Sequence, residues 1–226
     1  AGRRAGPLEA VTAEIAGGGG KACTIAGFDV TSTSAIEQGI DDATAHLGEI
    51  AVLVNCAGVA PSAPFEKTGL DLWNDVVAAN LTGVFLTTRA ALPSIRRAGN
   101  GRIINVASTA GLVGYAYVTA YCASKHGVIG LTRALALELA HTDITVNAVC
   151  PGFTDTPLLD GAVETISGKT GRTREEARAS LARNNPQGRL VTPEEVAHTV
   201  SWLVSPEAAA ITGQAIAVAG GEVMAG

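Results

Sequence analysis

Residues 50–58 read "IAVLVNCAG", five apolar residues followed at once by small ones. A strand with one wet face alternates apolar and polar side chains. This one does not, so cover on both faces is expected. Working outward, similar apolar runs recur in "KACTIAGFDV" (21–30), "GRIINVAS" (101–108), "DITVNAVCPG" (143–152) and "QAIAVAGG" (214–221). Between them, helical periodicity runs through 7–16, 34–47, 72–98 with an internal Pro93, 119–141, and 193–204 after a Thr192 cap. Strands and helices that alternate in this way predict one α/β domain, a doubly wound parallel sheet with right-handed crossovers. Ligands in such sheets lie beyond the carboxyl ends of the strands, here just after residues 26, 55, 107 and 149.

The bulk numbers narrow the function. The chain has 226 residues, 47% of them hydrophobic and 16% charged, enough for a single sizeable core. A net charge of −5 and a pI near 5.4 argue against nucleic acid as a partner. No apolar run approaches the ~20 residues of a membrane span, so no membrane is expected. Cys23, Cys56, Cys122 and Cys150 show no paired spacing. They read as free thiols of a cytoplasmic protein rather than metal ligands, and no metal is expected.

One segment, about 153–192, is polar and turn-rich. It carries Lys169, Arg172, Arg174, Arg178, Arg183 and Arg189 against Glu175 and Glu176. It is expected to be a substrate lid beside the active edge, the alternative being a solvated surface excursion.

The chemistry concentrates at "AYCASKHG" (120–127), where Tyr121 precedes Lys125 by four positions. On a helix these side chains share one face, about 5–6 Å apart at Cβ. An ammonium there is expected to lower the phenol's pKa and make proton exchange feasible at neutral pH. Tyr115 and Tyr117 lack a lysine at that spacing. They fall in the preceding loop, where they line a pocket or pack. Ser108 closes the apolar run 101–108, where a hydroxyl could donate to a carbonyl oxygen. Asn80, an unusual residue for a helix interior, is expected to hold a water leading to Lys125.

Taken in order, Asp29 in "DVT", the "NCAG" turn (55–58), Asn80, Ser108, Tyr121, Lys125 and "PGFTDTP" (151–157) resemble the short-chain dehydrogenase/reductase family along essentially the whole chain. The resemblance implies a Rossmann-like fold and an NAD(P)-dependent oxidoreductase. Hydride passes between nicotinamide and a carbonyl or secondary alcohol. It implies Asn80, Ser108, Tyr121 and Lys125 as the catalytic four. Implied cofactor contacts are Asp29 at the adenine, Val30, Asn55, Ala57, Gly58, Tyr121 and Lys125. Pro151, Gly152, Thr154 and Thr156 would surround the nicotinamide amide. Arg3 or Arg4, in the "GRR" turn, could clamp the 2′-phosphate of NADP, with NAD as the alternative. Segments "NNPQGRLVTPEEVA" and "TGQAIAVAGGEV" are most similar to members acting on 3-oxoacyl thioesters, including acetoacetyl-type reductases. Family members assemble as homotetramers or homodimers.

The chain departs from the family at its start. The glycine-rich phosphate-binding turn between a first strand and a first helix is missing. "GGGG" (17–20) follows a helix instead of preceding one, so its amides are not aimed at a pyrophosphate. One strand and one helix, on the order of 30 residues, are expected immediately before Ala1 on the family pattern. The alternative is a reductase-like binding or regulatory protein without a cofactor site.

Overall fold

The computed structural model describes residues 1–224. Helices α1 (Ala5–Gly17) and α2 (Thr33–Leu47) precede strand β1 (Val52–Asn55). Helix α3 (Leu70–Val77) runs through a π-helical turn, Ala78–Thr82, into α4 (Gly83–Ala98). Then come β2 (Arg102–Val106), α5 (Thr119–Glu138), β3 (Thr145–Pro151), α6 (Pro157–Thr170), α7 (Arg174–Ala182), α8 (Pro193–Val204) and β4 (Ala215–Val218). Among the described residues the strands form one all-parallel sheet in the order β1-β2-β3-β4.

Alternate side chains of the central strands enter different layers. Ile103 and Val146 pack with Ala91 and Ile95 of α4 and with Ala136 and Leu139 around the end of α5. Ile104 and Val149, at positions of opposite parity on the same strands, pack on the other face against Leu203 of α8. That two-sided burial is the physical content of the continuous apolar runs. The run Leu70–Ala98 is long and apolar enough to cross a membrane by length and composition, an exception to the expectation above. Its residues Val76, Val84, Thr87, Ala91 and Ile95 are nonetheless buried within the fold.

Three expectations need correction. Residues 21–30 form no strand: Ala26 makes one isolated parallel bridge, to Gly2, because no neighbouring ladder lies beside the segment. Strand β1 is not covered on both faces, since Val52 and Val54 remain 43% and 41% exposed. Finally, the polar segment 153–192 is largely helical. Leu159 and Val163 of α6 and Ala177 and Leu181 of α7, each pair one turn apart, close a small core of their own with Phe153 and Leu190 at its edge. The glycine run lies at the carboxyl end of α1. There the Gly18, Gly19 and Gly20 N–H groups donate to the carbonyls of Glu14, Ala16 and Ile15.

Candidate active site

The carboxyl ends of β1, β2 and β3 come together beside the first two turns of α5. Tyr121 and Lys125 occupy successive turns of that helix, and the Lys125 Nζ lies 5.7 Å from the centre of the Tyr121 ring. Lys125 is 4% exposed, and its ammonium donates to the Val106 carbonyl at 2.8 Å. One of its three protons is thereby spent on β2. Burial brings its pKa down to about 8.

Ser108 lies where β2 ends. Its Oγ accepts the Ala110 N–H at 3.1 Å, which leaves the hydroxyl proton to be donated, here toward the Tyr121 phenol. The Thr109–Gly111 turn behind it approaches α5 closely. A Cβ on Gly111 would lie 2.7 Å from the Lys125 carbonyl oxygen, so only glycine permits this spacing.

Tyr121 departs from expectation. Burial pushes its phenol above the ordinary value, and the Ser108 hydroxyl only partly opposes that. The lysine charge, drawn toward Val106, does not reverse it. Asn80 is held in place by its side chain. Its amide is engaged with protein: Oδ1 accepts the Val59 N–H at 2.8 Å, and Nδ2 donates to the Val59 carbonyl at 2.9 Å and to Ser124 Oγ at 3.2 Å. A fully buried amide locks the chain after the "NCAG" turn onto the π-helical turn and α5. Such π turns recur where a helix is reshaped for function.

The remaining predicted residues divide. Cys56, Ala57 and Gly58 form an exposed turn past β1. A Cβ on Gly58 would lie 3.1 Å from Asn80 Oδ1 and 3.7 Å from Lys125 Nζ, so glycine keeps the backbone low over the lysine. Asn55 is turned inward: its Nδ2 donates to Thr88 Oγ1 at 3.0 Å and Asn105 Oδ1 at 2.8 Å, which commits the side chain to the core. Asp29 accepts both the Thr31 N–H (2.9 Å) and its hydroxyl (2.7 Å), and these bonds pull its pKa down, with Arg3 adding a smaller attraction. Arg3 is thus within electrostatic reach of Asp29, while Arg4 occupies the N-cap position of α1 without a side-chain cap bond. Val30 packs its side chain and carbonyl where a Gly83 Cβ would stand. Past β3, the Thr154 Oγ1 donates to the Gly152 carbonyl at 3.0 Å, and the loop is tied to Val191 by backbone bonds. Thr156 begins α6 as its N-cap.

Sequence reading passed over Glu222. The Tyr115 phenol donates to its Oε1 at 2.6 Å, linking the tail past β4 to the loop past β2. The available signal was positional: Glu222 is the only charged residue after Glu207.

A sequence profile described as enoyl-(acyl carrier protein) reductase matches residues 3–222. A Streptomyces coelicolor protein named as a ketoacyl reductase is 45% identical over 195 residues, 85% of this chain and 75% of its own length. The D-beta-hydroxybutyrate dehydrogenase of Cupriavidus necator is 40% identical over 210 residues, 92% of this chain and 81% of the relative. A crystal structure of an actinorhodin polyketide ketoreductase variant with NADPH superposes with a TM-score of 0.89 at 41% identity, covering 98% of this chain and 85% of that one. An all-parallel sheet with this site at its carboxyl edge is the frame of a dinucleotide-dependent enzyme. The chain belongs to the short-chain dehydrogenase/reductase family of NAD(P)-dependent oxidoreductases.

The residues present fit the two ends of such a cofactor. Asp29, with Arg3 within electrostatic reach, would lie toward one end, and the low Gly58 backbone above Lys125 toward the other. Among the described residues no glycine-rich turn opens a helix to cradle its phosphates.

Proposed function

We propose that the protein reduces the ketone of a 3-oxoacyl thioester or polyketide-type substrate with NADPH. The observation that carries this reading is the Ser108–Tyr121–Lys125 arrangement at the strand ends. NADPH, when bound, supplies the hydride. The Ser108 hydroxyl donates to the carbonyl oxygen, and Tyr121 delivers the proton that converts it to an alcohol. Burial keeps that phenol protonated, the form a reductase needs at the start of turnover. The ammonium protons of Lys125 not given to Val106 would be left to hold the nicotinamide ribose. Asn80 keeps Val59, and with it the turn at Gly58, in register with α5.

Several parts of this reading have their own support. Arg3 beside Asp29 favours the 2′-phosphate of NADP, with NAD as the alternative. Helices α6 and α7 form a lid joined to the loop after β3 by an Arg178–Asp155 ion pair. Of the basic residues there, Arg174 is held by Asp160 and Glu164, and Arg189 by Glu195, which weakens the case for a phosphate-bearing carrier arm. The half-open β1, with Val11 and Ile15 exposed on α1, suits a further strand–turn–helix carrying the phosphate cradle on that side. Exposed Phe85 and Leu137 on α4 and α5 suit a homotetramer or homodimer.

The test is a panel of 3-oxoacyl thioesters, polyketide analogues, simple ketones and sugars, assayed with NADPH and NADH. Reduction should be fastest for the oxo-thioesters or polyketide analogues with NADPH, and Tyr121→Phe should lower kcat by about 10²- to 10⁴-fold. A protein that reduces none of these and leaves nicotinamide fluorescence unchanged on mixing would be a reductase-like binding or regulatory protein instead.

A further inference from the structure

Three loops that follow three different strands meet at one phenol. Tyr115 belongs to the loop after β2, and its ring stands edge-on to Phe153 of the loop after β3, with centroids 6.0 Å apart. Its oxygen lies 2.6 Å from Glu222 Oε1, in the tail after β4, and 2.9 Å from Thr109 Oγ1. A phenol has one proton, and an ionised carboxylate only accepts. The Tyr115 proton therefore goes to Glu222, and Thr109 must donate to the phenol. The result is a directed chain, Thr109 to Tyr115 to Glu222, whose last bond is charge-assisted and short. Burial, reinforced by Glu222, pushes the Tyr115 phenol far above its ordinary value. It stays a neutral donor and does not compete with Tyr121.

Thr109 is the residue next to Ser108. It is buried, and it begins the turn whose Ala110 N–H is donated to Ser108 Oγ. The far end is half-buried, with one carboxylate oxygen sealed in. Glu222 Oε2 is buried without a hydrogen-bond partner, and a Cβ on Gly152 would lie 2.8 Å from it. An unpartnered carboxylate oxygen is costly to bury. It lies here beside Gly152, so one carboxylate is hydrogen-bonded to the loop after β2 and packed beside the loop after β3.

We propose that Glu222, acting through Tyr115 and Thr109, is a positioning residue for the Ser108 hydroxyl. This rests on the reading of Ser108 as the group that polarises the substrate carbonyl. Glu222 touches no reacting atom; it fixes the turn from which that hydroxyl is presented.

The test uses the full-length enzyme, with kcat and KM for a reducible ketone, NADPH affinity by fluorescence, and melting temperature. Tyr115→Phe keeps the ring against Phe153 and removes both hydrogen bonds. It should lower kcat about tenfold, roughly one hydrogen bond, with KM and NADPH affinity little changed. Glu222→Leu should reproduce that loss. Glu222→Gln should restore most of the activity, because the amide oxygen still accepts the phenolic proton. The decisive arm is Ser108→Ala: adding Tyr115→Phe in that background should lower kcat no further. An equal loss with and without Ser108, or no loss in either, overturns the positioning role. If Ser108→Ala alone leaves kcat intact, the reading of the serine fails instead, and the two failures are told apart.

Discussion

Lys125 is an ammonium almost sealed from water with a single backbone acceptor, the Val106 carbonyl. An unfolded lysine holds its proton up to about 10.5, whereas Lys125 in the fold releases it near 8. Between those values the unfolded chain binds more protons than the native one, so stability rises with pH across the window. Below about 8 both forms are charged and the full cost of burying the ammonium stands. Thermal melts of wild type and Lys125→Met, without added nucleotide, should isolate the effect. The wild type should gain on the variant between pH 8 and 10.5; a constant difference would mean that Lys125 is solvated. Tyr121 and Lys125 could be found from their spacing alone, because i and i+4 on a helix is geometry a sequence states. The direction of the Tyr121 shift could not. It depends on burial and on where the lysine proton goes, and both are set by β2, which lies outside the motif.

At the level of elements, the site depends on how closely the turn after β2 approaches α5. Gly111 sits in that turn with the Lys125 carbonyl where a side chain would begin. Backbone does not yield as a flexible side-chain end does. Gly111→Ala should therefore separate turn and helix, costing about 1–3 kcal/mol by urea titration and lowering kcat as Ser108 and Tyr121 part. Unchanged activity would mean that the turn adjusts without moving Ser108. Most helices and the strands β1 to β4 could be read from period and composition, and the Thr192 cap of α8 appears as a full capping box with Glu195. Helices α6 and α7 were hidden because their apolar contacts are few and are made mainly with each other. The segment 21–30 misled in the opposite sense. Its β-branched and apolar residues favour extended chain, but a ladder needs a neighbour, and only Gly2 supplies one.

Across the whole molecule, pairing is long-range throughout. Val52 lies beside Arg102, Arg102 beside Thr145, and Ala148 beside Ala215. No two neighbouring strands can meet until an intervening helical crossover has been laid down, so each pairing closes a long loop before any ladder bond rewards it. During synthesis β1 must wait for β2 to emerge. Strand β3, the most deeply buried, keeps one bare edge until the chain has reached β4. Refolding should accordingly be slow and compete with self-association through those edges. Activity recovered after dilution from urea should fall as protein concentration rises, and improve when dilution is stepwise. Fast recovery, independent of concentration, would mean that local helices, and not strand pairing, limit the rate at which this chain becomes an enzyme.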